Sequence, residues 1–309
     1  MTYRRLGDSG LVVSTVGLGC NNFGRRIGLD ATRAVVDAAI DSGITFFDTA
    51  DVYGDSELLL GEVLEGRRDD VVIATKFGAA PLDAPSWEGR GSRRYIRRAV
   101  ERSLKRLRTD YIDLYQIHQP DKETPIGETL SALTELVREG KVRYIGCSNF
   151  AAWQVADATW TAKELGVEQF ISAQNHYSLL ERSVEAELTP ACQRFGLGIL
   201  PFFPLANGML TGKVRRGEQP PSDSRLADER YATFLTDERF DKVEKLEKLA
   251  EAWDVSLLEI AIGGLASRHA VASVIAGATK PEQVRANAAA GAWAPDREQR
   301  AQLKEALSS

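Results

Sequence analysis

Residues 112–149 read IDLYQIHQPDKETPIGETLSALTELVREGKVRYIGCSN. Two short apolar runs, Ile112 to Ile117 and Val142 to Cys147, stand on either side of a segment, Ile126 to Arg138, in which apolar residues recur at helical spacing. The runs are rich in β-branched and aromatic residues, as strands are. A strongly apolar strand followed by a helix and a second such strand is typical of parallel strands that are covered by helices. This stretch therefore predicts one β-α-β unit.

The same unit recurs along the whole chain. The apolar runs that we predict as strands are Val16 to Leu18, Thr45 to Phe47, Val71 to Ala74, Ile112 to Ile117, Val142 to Cys147, Phe170 to Ala173, Leu197 to Leu200 and Val271 to Ile275. The helical patterns between or after them include Ala31 to Ser42, Ser56 to Leu64, Arg93 to Leu107, Ile126 to Arg138, Val155 to Leu165, Val184 to Phe195 and Glu282 to Ala290. Eight β-then-α units predict an α/β fold of the (β/α)8 TIM-barrel kind.

Two other architectures compete with the barrel. A chain of 309 residues could form two ordinary domains or one large barrel. A doubly wound sheet would want a GxGxxG turn after an early strand; Gly17-Leu18-Gly19 begins one, but Cys20-Asn21-Asn22 does not complete it. We find no linker-like composition between units, so we predict one barrel domain over residues 1–309.

Additional segments surround the repeating units. Residues 3–6 and 11–13 flank Gly7-Asp8-Ser9-Gly10, which predicts a small hairpin that closes the barrel floor. Long connections, Phe77 to Gly91 and Pro201 to Leu235, follow the third and seventh strands, and loops of this length are usually functional or disordered. A final helix is predicted from Asp296 to Leu307.

The composition excludes several classes of protein. The hydrophobic fraction of 43% and charged fraction of 27% are ordinary for a globular protein, and no apolar run approaches the about 18 residues of a membrane span. The net charge of −5 and the scattered basic residues, apart from the run Arg90 to Arg108, argue against nucleic acid as a partner. Three separated cysteines and three histidines do not predict a metal site or a disulfide framework. With no signal-type segment at the N-terminus, a cytoplasmic location is expected.

Polar groups follow five consecutive predicted strands. In barrels of this kind the carboxyl ends of the strands meet at one mouth, where catalytic groups lie. A single polar residue at a strand end needs no functional explanation, but five in succession favour a site. These groups are Asp48, Lys76, His118, Ser148-Asn149 and Gln174-Asn175.

Tyr53 follows Asp48 closely enough for its side chain to fold over the same mouth. A phenol with a pKa near about 10 is a poor proton donor and acceptor at neutral pH. A nearby ammonium such as that of Lys76 would lower this pKa, and the Asp48 carboxylate would keep the ammonium charged and oriented. His118 would then point a ring nitrogen at the substrate oxygen.

These residues stand in motifs that resemble those of the aldo-keto reductases. Residues 48–57, DTADVYGDSE, are similar to the family signature D-T-A-x-x-Y-G-x-S-E. The later family motifs follow in order as residues 74–76 (ATK), 116–118 (QIH), 140–149 (GKVRYIGCSN), 173–178 (AQNHYS), 208–213 (GMLTGK) and 275–287 (IAGATKPEQVRAN). The resemblance covers the chain from the N-terminal hairpin to Asn287, and it is greatest to the branch that contains bacterial general reductases and potassium-channel β-subunits.

The resemblance implies a catalytic tetrad of Asp48, Tyr53, Lys76 and His118, with Tyr53 as the general acid. It implies NADPH or NADP+ as cofactor, because Lys280 and the start of the following helix favour a phosphate. Two positions depart from the family pattern: Phe203 replaces a serine, and Ala286 replaces a glutamate. The residues implied in cofactor binding are Gly19, Cys20, Asn21, Asp48, Ser148, Asn149, Gln174, Phe202, Pro204, Leu205, Gly208, Lys213, Gly277, Thr279, Lys280, Gln283 and Asn287.

The predicted function is reduction of a small-molecule aldehyde or ketone. Phe23 and Trp87 are candidates to line the substrate pocket beside Tyr53 and His118. Two other functions stay open: a dedicated reductase of a keto-sugar or natural-product pathway, and a nucleotide-sensing regulatory subunit. Specificity of such enzymes lies in their loops, so the sequence names neither the substrate nor the oligomeric state.

Overall fold

Residues 1–79, 88–222 and 224–307 are described by the structure, a computed structural model. Its strands are β1 (Tyr3–Arg5), β2 (Val12–Ser14), β3 (Val16–Gly19), β4 (Phe46–Asp48), β5 (Val72–Phe77), β6 (Ile112–Ile117), β7 (Val142–Ser148), β8 (Ser172–His176), β9 (Gly198–Phe202) and β10 (Val274–Gly277). Eight of these strands form one parallel sheet in the order β10-β3-β4-β5-β6-β7-β8-β9.

The sheet closes on itself between β9 and the residues before β10. Ile199 donates its backbone N–H to the carbonyl of Ala270 (2.7 Å) and accepts from the N–H of Ala272 (2.9 Å). A parallel bridge between Ile199 and Val271 marks the same seam. The predicted (β/α)8 TIM barrel is therefore confirmed.

Helices cover the outside of the barrel and bury their apolar faces against the strands or against one another. They are α1 (Leu29–Asp41), α2 (Ser56–Val63), α3 (Arg93–Leu107), α4 (Ile126–Arg138), α5 (Ala152–Leu165), α6 (Leu188–Phe195), α7 (Asp237–Ala252), α8 (Leu257–Ala266), α9 (Pro281–Ala290) and α10 (Arg297–Ala306). The predicted helix from Val184 to Phe195 is wrong in its first turn: a short 3-10 helix, Ser183–Glu185, precedes α6. Pro190 explains the break, because a longer α-helix would place this residue, which lacks an N–H, in its interior.

The N-terminal hairpin of β1 and β2 closes the floor of the barrel, as predicted. Leu6 and Val13 are fully buried and pack with barrel residues such as Phe46, Leu114 and Leu200. This cluster is separate from the larger core between the strands and the helices. The hairpin therefore fills the amino-terminal end of the barrel and leaves the carboxyl ends of the strands for the site.

The basic run of α3 takes part in ion pairs between helices. Arg97 lies 2.8 Å from Glu135 and 2.5 Å from Glu139, next to the end of α4. Arg106 lies 2.6 Å from Glu57 at the start of α2. The arginines therefore connect neighbouring helices of the outer layer.

Several strands extend to positions that the sequence patterns did not mark. Lys76 lies inside β5 and Gln174 inside β8, although both were expected just beyond their strands. The last strand was predicted from Val271 to Ile275. In the structure it is β10, which begins three residues later and ends two residues later. The connection after β9 folds into three short 3-10 helices, Ala206–Thr211, Arg225–Ala227 and Glu229–Phe234, and residues of all three line the mouth.

Candidate active site

A cleft of about 1130 Å³ lies at the carboxyl ends of the strands. Most of the residues that sequence patterns and the family resemblance singled out line this cleft. They are Gly19, Cys20, Asn21, Asp48, Tyr53, His118, Ser148, Asn149, Gln174, Phe202, Pro204, Leu205, Gly208, Lys213, Gly277, Thr279, Gln283 and Asn287.

Lys76 lies beneath the floor of the cleft and forms a buried ion pair with Asp48. Its Nζ lies 2.8 Å from Oδ1 and 2.7 Å from Oδ2 of Asp48, and it also donates to the backbone carbonyl of Thr49 at 2.8 Å. Burial by itself lowers the pKa of Lys76, but the Asp48 carboxylate, together with Tyr53 and Cys20, more than offsets this, so the pKa is raised above its ordinary value. The side chain is therefore an ammonium at neutral pH.

Tyr53 follows β4 and lies over this ion pair. The centroid of its ring is 5.2 Å from Lys76 Nζ and 5.7 Å from the ring of His118, which meets it edge-on. Burial raises the pKa of the phenol, and the Lys76 ammonium lowers it by a smaller amount. The sequence predicted the direction of the lysine's effect, but the net pKa is raised, so the hydroxyl keeps its proton at neutral pH.

His118 follows β6 and is neutral. Burial, with a further contribution from the Lys76 ammonium, lowers its pKa to about 3. Its Nδ1 is shielded from solvent and has no hydrogen-bond partner among the described residues. A neutral imidazole donates from one nitrogen and accepts at the other, so this ring can hydrogen-bond to a carbonyl oxygen without adding a charge.

Three amide or hydroxyl side chains extend from β7 and β8 beside the tetrad. Gln174 donates from Nε2 to Asp48 Oδ1 at 2.8 Å. Asn149 has a left-handed backbone, with φ of 60°, and its Nδ2 donates to Ser148 Oγ and to the carbonyl of His118, both at 3.0 Å. The amide of Gln174 therefore shares Asp48 with Lys76, while Asn149 connects β7 to the loop that carries His118.

Aromatic rings line one wall at the end of β9. Phe202 stacks on His176, with centroids 5.5 Å apart and an interplanar angle of 11°, and Phe203 meets Phe202 edge-on at 5.2 Å. The guanidinium of Arg225 lies 5.2 Å from the centroid of Phe203. Phe203, which departs from the family pattern, thus packs against Arg225 within the cleft.

The other end of the cleft meets the start of α9. Thr279 donates its backbone N–H to Gln283 Oε1 at 2.8 Å, which fixes the turn into the helix. Pro281 occupies the first position of α9, as is common at helix starts. Lys280, which was expected to contact the cofactor, is exposed and does not line the cleft.

One residue predicted for the substrate pocket does not line the cleft. Phe23 is fully buried in the core between strands and helices, so its prediction as a pocket residue is wrong. A tight turn from Asn22 to Ile27 points this ring inward. Trp87 lies outside the described residues.

Sequence reasoning missed several polar residues of the cleft, among them Arg225, Asn207 and Asn22. Arg225 donates from Nη2 to Asn22 Oδ1 at 3.4 Å, and burial lowers the pKa of its guanidinium. Asn207 is 9% exposed, and neither its Oδ1 nor its Nδ2 has a hydrogen-bond partner among the described residues. Asn22 belongs to the incomplete GxGxxG motif and was considered only as part of it. Asn207 and Arg225 lie in the long connection after β9, where the sequence has no periodic pattern.

Two further properties concern the described residues only. They contain no group of three or more His, Cys, Asp or Glu side chains that could hold a metal ion. No helix among them combines the length and the apolar character that a membrane span requires.

Comparisons with known proteins identify a family and several relatives. The model of the Aldo/keto reductase family matches residues 15–308. The chain is 38% identical over 301 residues to "Probable voltage-gated potassium channel subunit beta" of Oryza sativa subsp. japonica, covering 92% of this chain and 89% of that protein. It is 37% identical over 298 residues to "Uncharacterized oxidoreductase YrpG" of Bacillus subtilis (strain 168), covering 92% and 89%. It is 35% identical over 303 residues to "L-glyceraldehyde 3-phosphate reductase" of Escherichia coli (strain K12), covering 93% and 86%.

Proposed function

Because the chain belongs to the aldo/keto reductase family, we propose that it reduces an aldehyde or a ketone with NADPH and that Tyr53 is the general acid. The observation that carries this proposal is the arrangement of Tyr53 over the buried pair of Lys76 and Asp48, beside the neutral ring of His118. A protonated phenol next to an ammonium is suited to donate a proton to an oxygen on which negative charge develops.

Each member of the tetrad has a distinct part in this chemistry. Tyr53 holds the proton that passes to the carbonyl oxygen, and the Lys76 ammonium stabilises the phenolate that remains. Asp48 keeps that ammonium in place, since it binds Nζ with both carboxylate oxygens. His118 orients the carbonyl by a hydrogen bond from its neutral ring.

The cleft fits a nicotinamide dinucleotide, which supplies a hydride when it is bound. The buried amide of Asn207 lacks partners within the described part of the chain, and buried polar groups are normally hydrogen-bonded, so a ligand would satisfy it. Ser148, Asn149 and Gln174 would hold the carboxamide of the nicotinamide, and Phe202 would stack on its ring. Thr279, Gln283 and Asn287 would hold the adenosine end.

Preference for the phosphorylated form, NADPH, rests on cations in and near the cleft. Lys213 and Arg225 line it, and Lys280 precedes the N-terminus of α9, where free backbone N–H groups favour an anion. Glu282 in the first turn of the same helix opposes this preference. Comparing the Kd of NADPH with that of NADH by quenching of protein fluorescence tests it directly; equal affinities would contradict it.

A Tyr53→Phe variant tests the reaction itself. We expect wild-type protein to consume NADPH with 4-nitrobenzaldehyde, and the variant to lose about 10²- to 10⁴-fold in kcat, the usual contribution of a positioned acid. The Kd of NADPH should stay unchanged, because the phenol is not among the proposed cofactor contacts. A variant as fast as wild type would show that Tyr53 is not the acid, and a wild-type protein without turnover on any of a broad set of aldehydes and ketones would refute the enzymatic function.

A further inference from the structure

The cleft carries a local surplus of positive charge in a chain whose net charge is −5. Two of its acidic groups are already paired: Asp48 with Lys76, and Asp228 with Arg230 at 2.5 Å. Glu282 is the remaining acidic group among the described lining residues. The lining cations Arg25, Lys213 and Arg225 exceed it in number.

Arg25 is carried by a tight turn between β3 and α1. The N–H groups of Arg26 and Ile27 donate to the carbonyl of Asn22 at 2.8 and 3.2 Å, and the N–H of Gly24 donates to the carbonyl of Ile27 at 2.9 Å. Gly24 has a φ of 73°, and a Cβ there would lie 2.7 Å from Asp55 Cβ. The turn is thus seated closely on the loop that carries Tyr53.

The guanidinium of Arg25 is held beside the catalytic tyrosine. Its Nη2 donates to the carbonyl of Val52 at 2.5 Å, and its Cζ lies 6.0 Å from the centroid of the Tyr53 ring. Within residues 1–79, 88–222 and 224–307 it has no carboxylate within ion-pair distance. The positive charge of Arg25 acts to lower the pKa of the Tyr53 phenol. A solvent-facing guanidinium, without a counter-ion in the described part of the chain, therefore lies next to the proposed general acid.

We propose that Arg25 makes the enzyme selective for carbonyl compounds that carry an oxyanion, either a carboxylate or a phosphate. The proposal rests on the function proposed above, since it takes the substrate carbonyl to lie at the Tyr53 hydroxyl. An anionic group of the substrate, a few bonds away from its carbonyl carbon, can then reach the Arg25 guanidinium beside the Tyr53 ring. The planar fork of donors on a guanidinium matches both carboxylate and phosphate oxygens.

The cations proposed above for the cofactor phosphates do not include Arg25. Lys213 and Arg225 belong to the connection after β9 and Lys280 precedes α9, whereas Arg25 lies beside Tyr53 on the first loop of the barrel. Its hydrogen bond to Val52 also ties it to the segment of the catalytic residue rather than to α9. Arg25 is thus supplied by a different element from these three cations. Because the same loop carries Gly19, Cys20 and Asn21, which the family resemblance implies in cofactor binding, the Kd of NADPH is measured alongside the selectivity.

The test compares pairs of substrates that differ in charge, at saturating NADPH. One pair is 4-carboxybenzaldehyde and 4-formylbenzamide; the other is glyceraldehyde 3-phosphate and glyceraldehyde. For each pair the ratio of kcat/KM, charged over neutral, is measured in wild type, Arg25→Gln, Arg25→Lys and the control Arg33→Gln. Arg33 is an exposed residue of α1, so its variant removes the same charge from the protein at a different place.

We expect wild type to favour the charged member of at least one pair, and Arg25→Gln to lower that ratio about tenfold, mainly through KM. Arg25→Lys should restore part of the ratio, and Arg33→Gln should leave it as in wild type. Selectivity should also decline between about 0.02 and 0.5 M NaCl, since added salt screens an exposed charge. An effect on the carboxylate pair alone or the phosphate pair alone supports the proposal and identifies the oxyanion.

Three results would overturn the proposal. The first is an unchanged ratio in Arg25→Gln for both pairs. The second is an equal fall in Arg33→Gln, which would mean that only net charge matters. The third is a rise in the Kd of NADPH that accounts for the loss in Arg25→Gln, which would assign Arg25 to the cofactor. A wild-type protein that reduces no carbonyl compound at all would instead refute the proposed function, and the selectivity with it.

Discussion

Lys76 is a charged side chain with no exposed surface, and its ammonium hydrogen-bonds to oxygens of Asp48 and Thr49. An isolated buried charge would be very costly, so the carboxylate and the ammonium each depend on the other. The pair also shows what a sequence can reveal at this scale. Residue types at strand ends predicted that Asp48 and Lys76 would be neighbours, but their hydrogen-bond geometry needed coordinates.

Removing one member of the pair should therefore cost more than removing both. We expect Lys76→Met to lower the free energy of unfolding by about 3–5 kcal/mol, because it leaves the Asp48 carboxylate buried without a counter-ion. The double variant Asp48→Asn/Lys76→Met should be more stable than Lys76→Met alone, since it no longer buries a charge. Urea unfolding at pH 7 measures both. A double variant less stable than the single one would mean that the two side chains contribute independently.

At the scale of elements, the sequence predicted the order of strands and most helices better than their ends. Apolar periodicity fades at strand ends that point into the mouth, where functional polar residues such as Gln174 occupy strand positions. The start of α8 could also have been predicted from the sequence, because Ser256 and Glu259 form a capping box there. Pro190 likewise marks the true start of α6.

The turn between β4 and α2 contains Asp51, a carboxyl group that has no role in the proposed reaction. Asp51 Oδ1 is shielded and has no partner among the described residues. Burial, with a smaller contribution from the Glu57 carboxylate of α2, raises the pKa of Asp51, and the cations Arg106 and Lys76 lower it in part. The resulting pKa is about 7. The unfolded chain releases this proton near pH 4. The folded state thus binds more protons between about pH 4 and 7, and stability should fall as the pH rises through that window.

An Asp51→Asn variant should remove this loss, because an amide cannot ionise. We expect its Tm to exceed that of wild type by about 2 °C or more at pH 8, which corresponds to about 1 kcal/mol in a chain of this size, and the difference to shrink towards pH 4.5. Asp157→Asn, on the exposed face of α5, is the matched control and should show no such trend. A pH-independent difference between Asp51→Asn and wild type would mean that Asp51 does not titrate in this range.

At the scale of the whole molecule, the barrel has two ends with different tasks. The floor is filled by an apolar hairpin, and the mouth carries the polar cleft. Both ends were predicted, because the turn residues Gly7 to Gly10 and the polar strand ends are local signals. The connection over the mouth was predicted only as a loop, since irregular backbone has no period to detect. Arg225 and Asn207, which shape the cleft, therefore emerged only from the fold.

The barrel floor also limits which substitutions the chain tolerates far from the candidate active site. Gly7 has a φ of 59°, and a Cβ there would lie 2.4 Å from the carbonyl oxygen of Gly196 and 2.5 Å from that of Ile171. These oxygens belong to the backbone at the entrance to β8 and β9, so they cannot move without disturbing the barrel. Gly166, which ends α5 at a φ of 63°, has open space where a Cβ would stand.

Gly7→Ala and Gly166→Ala therefore share the strain of a left-handed alanine, about 1 kcal/mol, and differ in the collision. We expect Gly7→Ala to lower the free energy of unfolding by at least about 2 kcal/mol more than Gly166→Ala, within the range of overpacking costs. Urea unfolding of both variants under the same conditions measures the difference. Equal losses would mean that the hairpin can shift away from the strands without loss, and that it covers the barrel floor more loosely than its buried Leu6 and Val13 indicate.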